Sequence, residues 1–217
     1  MIIDSDIGFE GYVPVLTKNK VDTIGRYFCD PKDPTAYKLI TPKEAGQIAQ
    51  ANIRLFTIFE AGSVDLSKGQ SHAGTAMSCA NAIGQPQGSA IYFGIEKDGG
   101  FTKNDMPQVT QYFADINSTI AGKFDIGVYS NGTTCATLLG PPKLVKYTWL
   151  TAASYSHDGT LDFYASGLWT IAQVGPLDIA TKNLVSWKIA PKVAPWKIDI
   201  NCVNGSIGSF IANPPTS

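Results

Sequence analysis

Short apolar runs that end in a polar residue recur along this chain, and most are followed by a stretch whose apolar positions repeat at helical spacing. The pattern predicts a strand over Ile2 to Asp6 and a helix over Phe9 to Lys18, with Pro14 confined to its first turns. Further strands are expected at Val21 to Phe28, Ile53 to Phe59 (running out at Glu60), Ser89 to Ile95, Phe124 to Tyr129, Tyr147 to Ala152, Leu168 to Val174 and Trp196 to Asn201. Between them, helices are expected from Thr41 to about Asn52, Ser71 to Ile83, Pro107 to Ile120, Gly132 to Leu139 and, more briefly, Leu161 to Ser166. The start at Thr41-Pro42-Lys43-Glu44 is the clearest, with an N-cap, a proline at the first helical position and a glutamate placed for a capping box. The stretch from Gly175 to Pro195 reads as irregular.

Eight strands separated mostly by helices argue for a parallel sheet with helical crossovers. The fold expected is α/β, a compact (β/α)8 TIM barrel with short or irregular last helices, filling residues 1–217 as one domain. An open, doubly wound sheet is the alternative; the absence of a GxGxxG turn and of a P-loop weakens its nucleotide-binding version.

A parallel barrel presents its functional side chains at the carboxyl ends of its strands. Here those ends carry Asp4 and Asp6, Arg26 and Tyr27, Glu60, then Tyr92, Gly94 and Glu96 on one face with Asp98 beyond, Tyr129, Trp149, Gln173, and finally Asp199 and Asn201. Carboxylates converging on one mouth push each other's pKa values apart, which suits acid/base chemistry on a glycosidic bond. Tyr27, Tyr92, Tyr129 and Trp149 would offer flat faces to sugar rings. Taken singly, each has a plainer reading. An acid after a strand serves more often as a helix cap or ion-pair partner, Asp199 could hold a closing turn, Arg26 would most simply neutralise a neighbouring acid, and Tyr92 and Trp149 would be core.

Composition narrows the classes. Charged residues make up 16% of the chain, and 17 Lys and Arg nearly balance 18 Asp and Glu, so neither a nucleic-acid binder nor a polybasic membrane-surface protein is expected. Four widely spaced cysteines read as buried free thiols; with only His72 and His157 beside them, no metal site and no cofactor is expected. The opening Met-Ile-Ile-Asp-Ser-Asp lacks a basic segment followed by an apolar one, and no apolar run is long enough to span a bilayer. The expectation is a protein made in the cytoplasm without a signal peptide. A route such as a holin or a contact-dependent secretion machine would then carry it to the periplasm or cell wall.

The opening IIDSD, the segments TIGRYF, LITPKEAGQIAQANIRLFTIFE, AIYFGIEKD and GVYSNG, and the closing KIDIN together resemble the glycoside hydrolase-like domain family (domain of unknown function 1906), a relative of the glycoside hydrolase family 25 muramidases. That resemblance implies a (β/α)8 barrel and peptidoglycan or a related glycan as ligand. Ile3-Asp4 matches the muramidases' first-strand aspartate, and Glu96 the glutamate of their fourth-strand Asp-x-Glu pair, their proposed general acid. Gly94 stands at the aspartate position of that pair, so one carboxylate of the pattern is missing; Asp6, Glu60 or Asp98 would have to compensate. Asp199-x-Asn201 resembles the last-strand signature.

The reading is a monomeric cell-wall glycan hydrolase of lysozyme type, cutting β-1,4 bonds. Glu96, Asp4, Asp6 and Glu60 would be its catalytic acids, and Arg26, Tyr92, Asp98, Tyr129, Gln173 and Asp199 would contact or tune the substrate. The alternatives are a non-catalytic glycan-binding barrel, motivated by Gly94, and an unrelated small-molecule barrel enzyme, which would need a phosphate-binding loop near the last strands.

Overall fold

The computed structural model describes residues 1–174 and 198–214. Its eight strands close into a barrel in sequence order: β1 (Ile2–Ser5), β2 (Thr23–Phe28), β3 (Arg54–Glu60), β4 (Ala90–Gly94), β5 (Asp125–Ser130), β6 (Tyr147–Leu150), β7 (Ile171–Gln173) and β8 (Ile198–Val203). The first seven run parallel, whereas β8 is antiparallel to both β7 and β1. This corrects the expectation of eight parallel strands. β7 ends at the mouth and β8 begins there, so their connection need not return to the opposite end, and a crossover of the βαβ kind is not required. β8 then delivers the chain to the base, where residues 204–214 pass beneath the barrel: Phe210 pairs with Leu55, Ala90 N–H donates to Gly208 and Asn213 N–H to Gly84.

Helices α1 (Val13–Lys18), α2 (Pro42–Gln50), α3 (Gly69–Ala82), α4 (Met106–Ile120), α5 (Gly132–Leu139) and α6 (Thr160–Ser166) cover the strands. α4 buries Val109, Phe113, Ile116 and Ile120, the i, i+4, i+7 stripe of a helix packed on a sheet. α1 is shorter than its apolar pattern suggests. Gly11 turns the chain at φ +78° just before it, and Pro14 lies in its first turn, where no N–H is missed. α6 is short, as expected, and the stretch expected to be irregular, Gly175 to Pro195, lies outside the described residues.

Strand alternation sorts the apolar residues into two cores. Ile24, Phe28, Leu55, Phe59, Ile91, Phe93 and Val128 face the helices. Phe56, Ile58, Tyr92, Tyr147, Trp149 and Ile171 fill the barrel, with Ile207 packed against them from the base. Phe56 meets Trp149 edge-on at 5.1 Å, and Tyr92 meets it at 5.9 Å. Two glycines make room for these rings: a Cβ on Gly25 would lie 2.5 Å from the Phe56 ring, and one on Gly127 2.4 Å from Tyr92. Tyr92, expected to face substrate, is therefore core; its hydroxyl donates to the Ile207 carbonyl at 3.0 Å. Three cysteines are buried or half-buried, but Cys202 is exposed on β8, against the expectation of buried thiols; all four are free.

Arg26 also departs from expectation. It points outward from β2 and is completely buried between the barrel and α2, away from the mouth. Its Nε donates to Glu44 Oε1 at 2.8 Å, Nη2 donates to Glu44 Oε2 and to the Lys38 carbonyl, both at 3.2 Å, and Nη1 donates to the Ser5 carbonyl. Glu44 also accepts the Phe9 N–H at 2.9 Å. Half of the expected capping box forms, with Thr41 Oγ1 accepting the Glu44 N–H at 3.0 Å, but the Glu44 carboxylate goes to the guanidinium instead of back to Thr41. A charge-assisted bond in a dry site outcompetes a neutral cap.

Removing one member of a buried pair leaves the other charged without compensation, at a cost of roughly 3–5 kcal/mol. Arg26→Met should therefore lower the urea midpoint strongly, and adding Glu44→Leu should recover much of the loss. An unchanged midpoint in Arg26→Met would contradict this account.

Candidate active site at the barrel mouth

The inward positions at the carboxyl ends of β1 to β7, joined by the amino end of β8, converge on one mouth. Asp4 lies at its floor, 1% exposed. Asn201 Nδ2 donates to its Oδ1 at 2.7 Å, the Tyr27 hydroxyl to its Oδ2 at 3.1 Å, and Gln173 Nε2 approaches both oxygens at 3.4 and 3.5 Å. These donors are themselves held. Trp149 Nε1 donates to Asn201 Oδ1 at 2.9 Å, and the Tyr129 hydroxyl to Gln173 Oε1 at 2.7 Å. Gln173 Nε2 also reaches Asp199 Oδ2 at 3.1 Å, tying the two aspartates to one amide. Asp199 stands opposite Asp4 in the antiparallel register. Its place at the mouth thus follows from the reversed β8, whose first residues lie where a parallel strand would have placed its last.

Burial, and then the charge of Asp199, raise the pKa of Asp4 to about 7 against the opposing pull of its three donors. The phenols of Tyr27 and Tyr129 are pushed well above their ordinary range by burial and by the surrounding acids, so both are hydrogen-bond donors at any physiological pH.

On the other side, Glu60, Gly94, Glu96 and Tyr129 line a cavity of about 210 Å³, with Ala61 to Val64 completing its lining. Glu60 lies opposite Gly94 in register. Its Oε1 accepts from Lys38 Nζ at 2.6 Å, and Lys38 also lies 5.3 Å from the centre of the Tyr27 ring. Burial works against the charge on Lys38, but Glu60 more than offsets it, and the pKa is raised. Glu96 is exposed at the mouth, and the surrounding protein still removes part of the solvation of its carboxyl. That desolvation, then Glu60, raise its pKa to about 7; Lys38 opposes and Asp199 adds to the rise. Asp6 is half-buried just beyond β1, and its Oδ1 is enclosed with no hydrogen-bond partner among the described residues; the Thr151 hydroxyl, just past β6, is in the same condition.

The structure thus brings Asp4, Glu60, Glu96, Tyr129, Gln173 and Asp199 together, with Asp6 at the edge. Asp98 instead lies on the exposed turn beyond β4, outside the cavity lining. Arg26 and Tyr92 belong to the outer and inner cores. Lys38 carries no signal in the sequence: it lies in a polar loop, and the grip of Arg26 on its carbonyl, together with the pairing of Leu39 and Ile40 with Tyr27, carries it to the mouth. Tyr27 as a donor to Asp4 is legible in principle, because it shares the inward face of β2 with Gly25. Among the described residues, no group of three or more His, Cys, Asp or Glu side chains is arranged to hold a metal ion, and no helix is long and apolar enough to cross a membrane.

Residues 15–196 match the family described as Rv2525c-like, glycoside hydrolase-like domain. The Bacillus subtilis protein YbfG is 27% identical over 174 residues, 73% of this chain; the chain matches about a quarter (24%) of that relative's length. Among solved structures, the Tat-secreted protein Rv2525c of Mycobacterium tuberculosis, crystallised with HEPES, superposes with a TM-score of 0.70 at 18% identity, covering 96% of this chain and 97% of that one. The modular autolysin LytC of Streptococcus pneumoniae, solved with a synthetic peptidoglycan ligand, gives a TM-score of 0.53 at 10% identity over 93% of this chain and 46% of its own. At these identities the structural likenesses establish the fold.

The raised pKa of Asp4 makes the stability of the fold depend on pH. Its folded pKa exceeds the unfolded value, so its contribution is fully present below about pH 4 and is lost as pH rises through about 7. Asp4→Asn keeps an acceptor for Asn201 without the charge. Each pH unit between the folded and unfolded pKa is worth roughly 1.4 kcal/mol, so at pH 8 the variant should be more stable than wild type by a few kcal/mol. The gain should vanish near pH 4. Urea titrations across this range test it; a gain that does not depend on pH would contradict it.

Proposed function

The chain belongs to the Rv2525c-like glycoside hydrolase-like domain family, and from that premise we propose that it hydrolyses a cell-wall glycan, with peptidoglycan as substrate and a β-1,4 glycosidic bond as the target. The observation that carries this reading is the raised carboxyl of Glu96 in a water-accessible cavity beside the ionised Lys38–Glu60 pair. A glycosidase needs one carboxylic acid still protonated near neutral pH and further carboxylates to meet positive charge on the sugar.

In this reading Glu96 protonates the leaving oxygen. Asp4, at the floor and bonded on both oxygens, stabilises the oxocarbenium-like charge through space. Asp6, whose Oδ1 has no hydrogen-bond partner among the described residues, orients water in this reading. Glu60 and Asp199 set the negative field, and Tyr129 and Gln173 contact the sugar. The protein acts at the periplasm or cell wall, the compartment to which the peptidoglycan-bound likeness and the Tat-secreted likeness both point.

A non-catalytic glycan-binding barrel is the second reading, favoured by Gly94, which contributes no carboxylate beside Glu96. A Cβ there would come within 3.0 Å of the tip of the buried Ile58, which would have to shift slightly to admit a side chain.

Digestion of purified peptidoglycan, with fragments identified by mass spectrometry and reducing-end labelling, decides between them. Muropeptides bearing new reducing sugars are expected. Glu96→Gln should reduce their release about 100-fold or more while the protein still pellets with sacculi. Activity should peak near pH 7 and fall on both sides, because Glu96 loses its proton above about 7 and Asp4 gains one below it. Undiminished release by Glu96→Gln would remove the assignment of that residue. Pelleting without any release by the wild type would make the protein a binding barrel.

A further inference from the structure

We propose that Lys38 is a positioning residue that decides which of the two cavity glutamates holds the proton, by binding Glu60 and leaving Glu96 as the acid. The inference deepens the reading of Glu96 as proton donor and rests on it for its catalytic meaning.

Glu60 at the end of β3 and Glu96 two residues beyond the neighbouring β4 line the same small cavity, and Gly94 supplies no side chain between them. Two carboxyls in such a place, with nothing to distinguish them, would titrate as a coupled pair and share the proton. One cation bonded to one of them breaks the symmetry. Lys38 is that cation. Its ammonium is 2.6 Å from Glu60, with the two side chains only 15% and 29% exposed, so solvent screens this pair less than an ordinary surface ion pair. Its position does not depend on its own flexible stem alone. Lys38 closes the 3₁₀ turn Ala36–Lys38, its carbonyl is gripped by the buried Arg26, and its ammonium lies over the Tyr27 ring.

Among the described residues, the other charges at the mouth do not oppose this assignment. Asp6 acts on Lys38 and reinforces its charge. Asp199 acts on Glu96 and favours its protonated form. Asp4 lies on the floor with its own donors, and Tyr27 and Tyr129 remain neutral. Lys38 touches Glu60 directly and reaches Glu96 only through space.

The chain has four glutamates, Glu10, Glu44, Glu60 and Glu96, so side-chain carboxyl titration by NMR on protein labelled with carbon-13 glutamate is tractable, with Glu60→Gln and Glu96→Gln for assignment. In the wild type the step near pH 7 should belong to Glu96. In Lys38→Met the Glu60 titration should move up by about one pH unit or more, and the two signals should titrate together. Lys38→Arg should restore the wild-type order. Glu60→Gln should move the Glu96 titration down, since Glu60 holds it up. If Lys38→Met does not fold, Lys38→Gln and Glu60→Gln carry the same test. Unchanged Glu60 and Glu96 curves in a folded Lys38 variant, or an unchanged Glu96 curve in Glu60→Gln, would overturn the inference. The titration requires no turnover, so a wild type that fails to cleave peptidoglycan but shows the expected curves would overturn the hydrolytic reading alone.

Discussion

The buried pair of Arg26 and Glu44 is the constraint on which the mouth of this barrel depends. One guanidinium joins four separate pieces of chain: the end of β1 through Ser5, the turn before α2 through Lys38, α2 through Glu44 and β2 itself. Glu44 extends the knot to the loop after β1 through the Phe9 N–H. A pair taken wholly out of water is stable only when its remaining donors and acceptors are met, and here the backbone groups that meet them flank the functional residues. Asp4 precedes Ser5, Asp6 follows it, and Lys38 is itself gripped. The geometry of one side of the mouth is thus fixed from behind the barrel wall.

The other side is fixed from within. Trp149, Asn201, Gln173, Tyr129 and Tyr27 form a continuous set of donors and acceptors around Asp4 and Asp199, standing on a layer of packed rings. Preorganisation of this kind is what a reaction that develops charge requires, because little has to reorient as the charge appears. Two carboxyls raised to about 7 in one mouth destabilise the fold at alkaline pH and supply acid/base capacity near neutrality. The missing side chain at Gly94 leaves an open cavity between Glu60 and Glu96, so the second acid there comes from β3 in place of β4.

Much of this was legible along the chain. The eight strands and six α-helices of the described residues fall where hydrophobic periodicity and the Thr41 signal set them, with shifts of a few residues and a shortened α1. Glu60, Glu96, Asp4 and Asp199 were legible as candidates because each interrupts or ends an apolar strand, and a carboxylate there has to be paired, capped or functional. Arg26 and Tyr92 satisfied the same rule and proved to be core. At a strand end, adjacent residues face opposite sides of the sheet, so Arg26 and Tyr27 cannot both enter the barrel. Tyr92 does face inward, but one layer too deep, and depth depends on the stagger of all the strands together.

The sequence by itself determined the elements, their order and the presence of acids at the strand ends, because periodicity, caps and breakers act between residues a few positions apart. Only the tertiary structure decided the direction of β8, which brings Asp199 and Asn201 to Asp4 from about 200 positions away in sequence. It likewise chose Arg26 over Thr41 as the partner of the Glu44 carboxylate, and it set Lys38 against Glu60. Those choices rest on which polar groups remain unpaired once the barrel has closed, and that is a property of the whole enclosure that no local stretch of the chain contains.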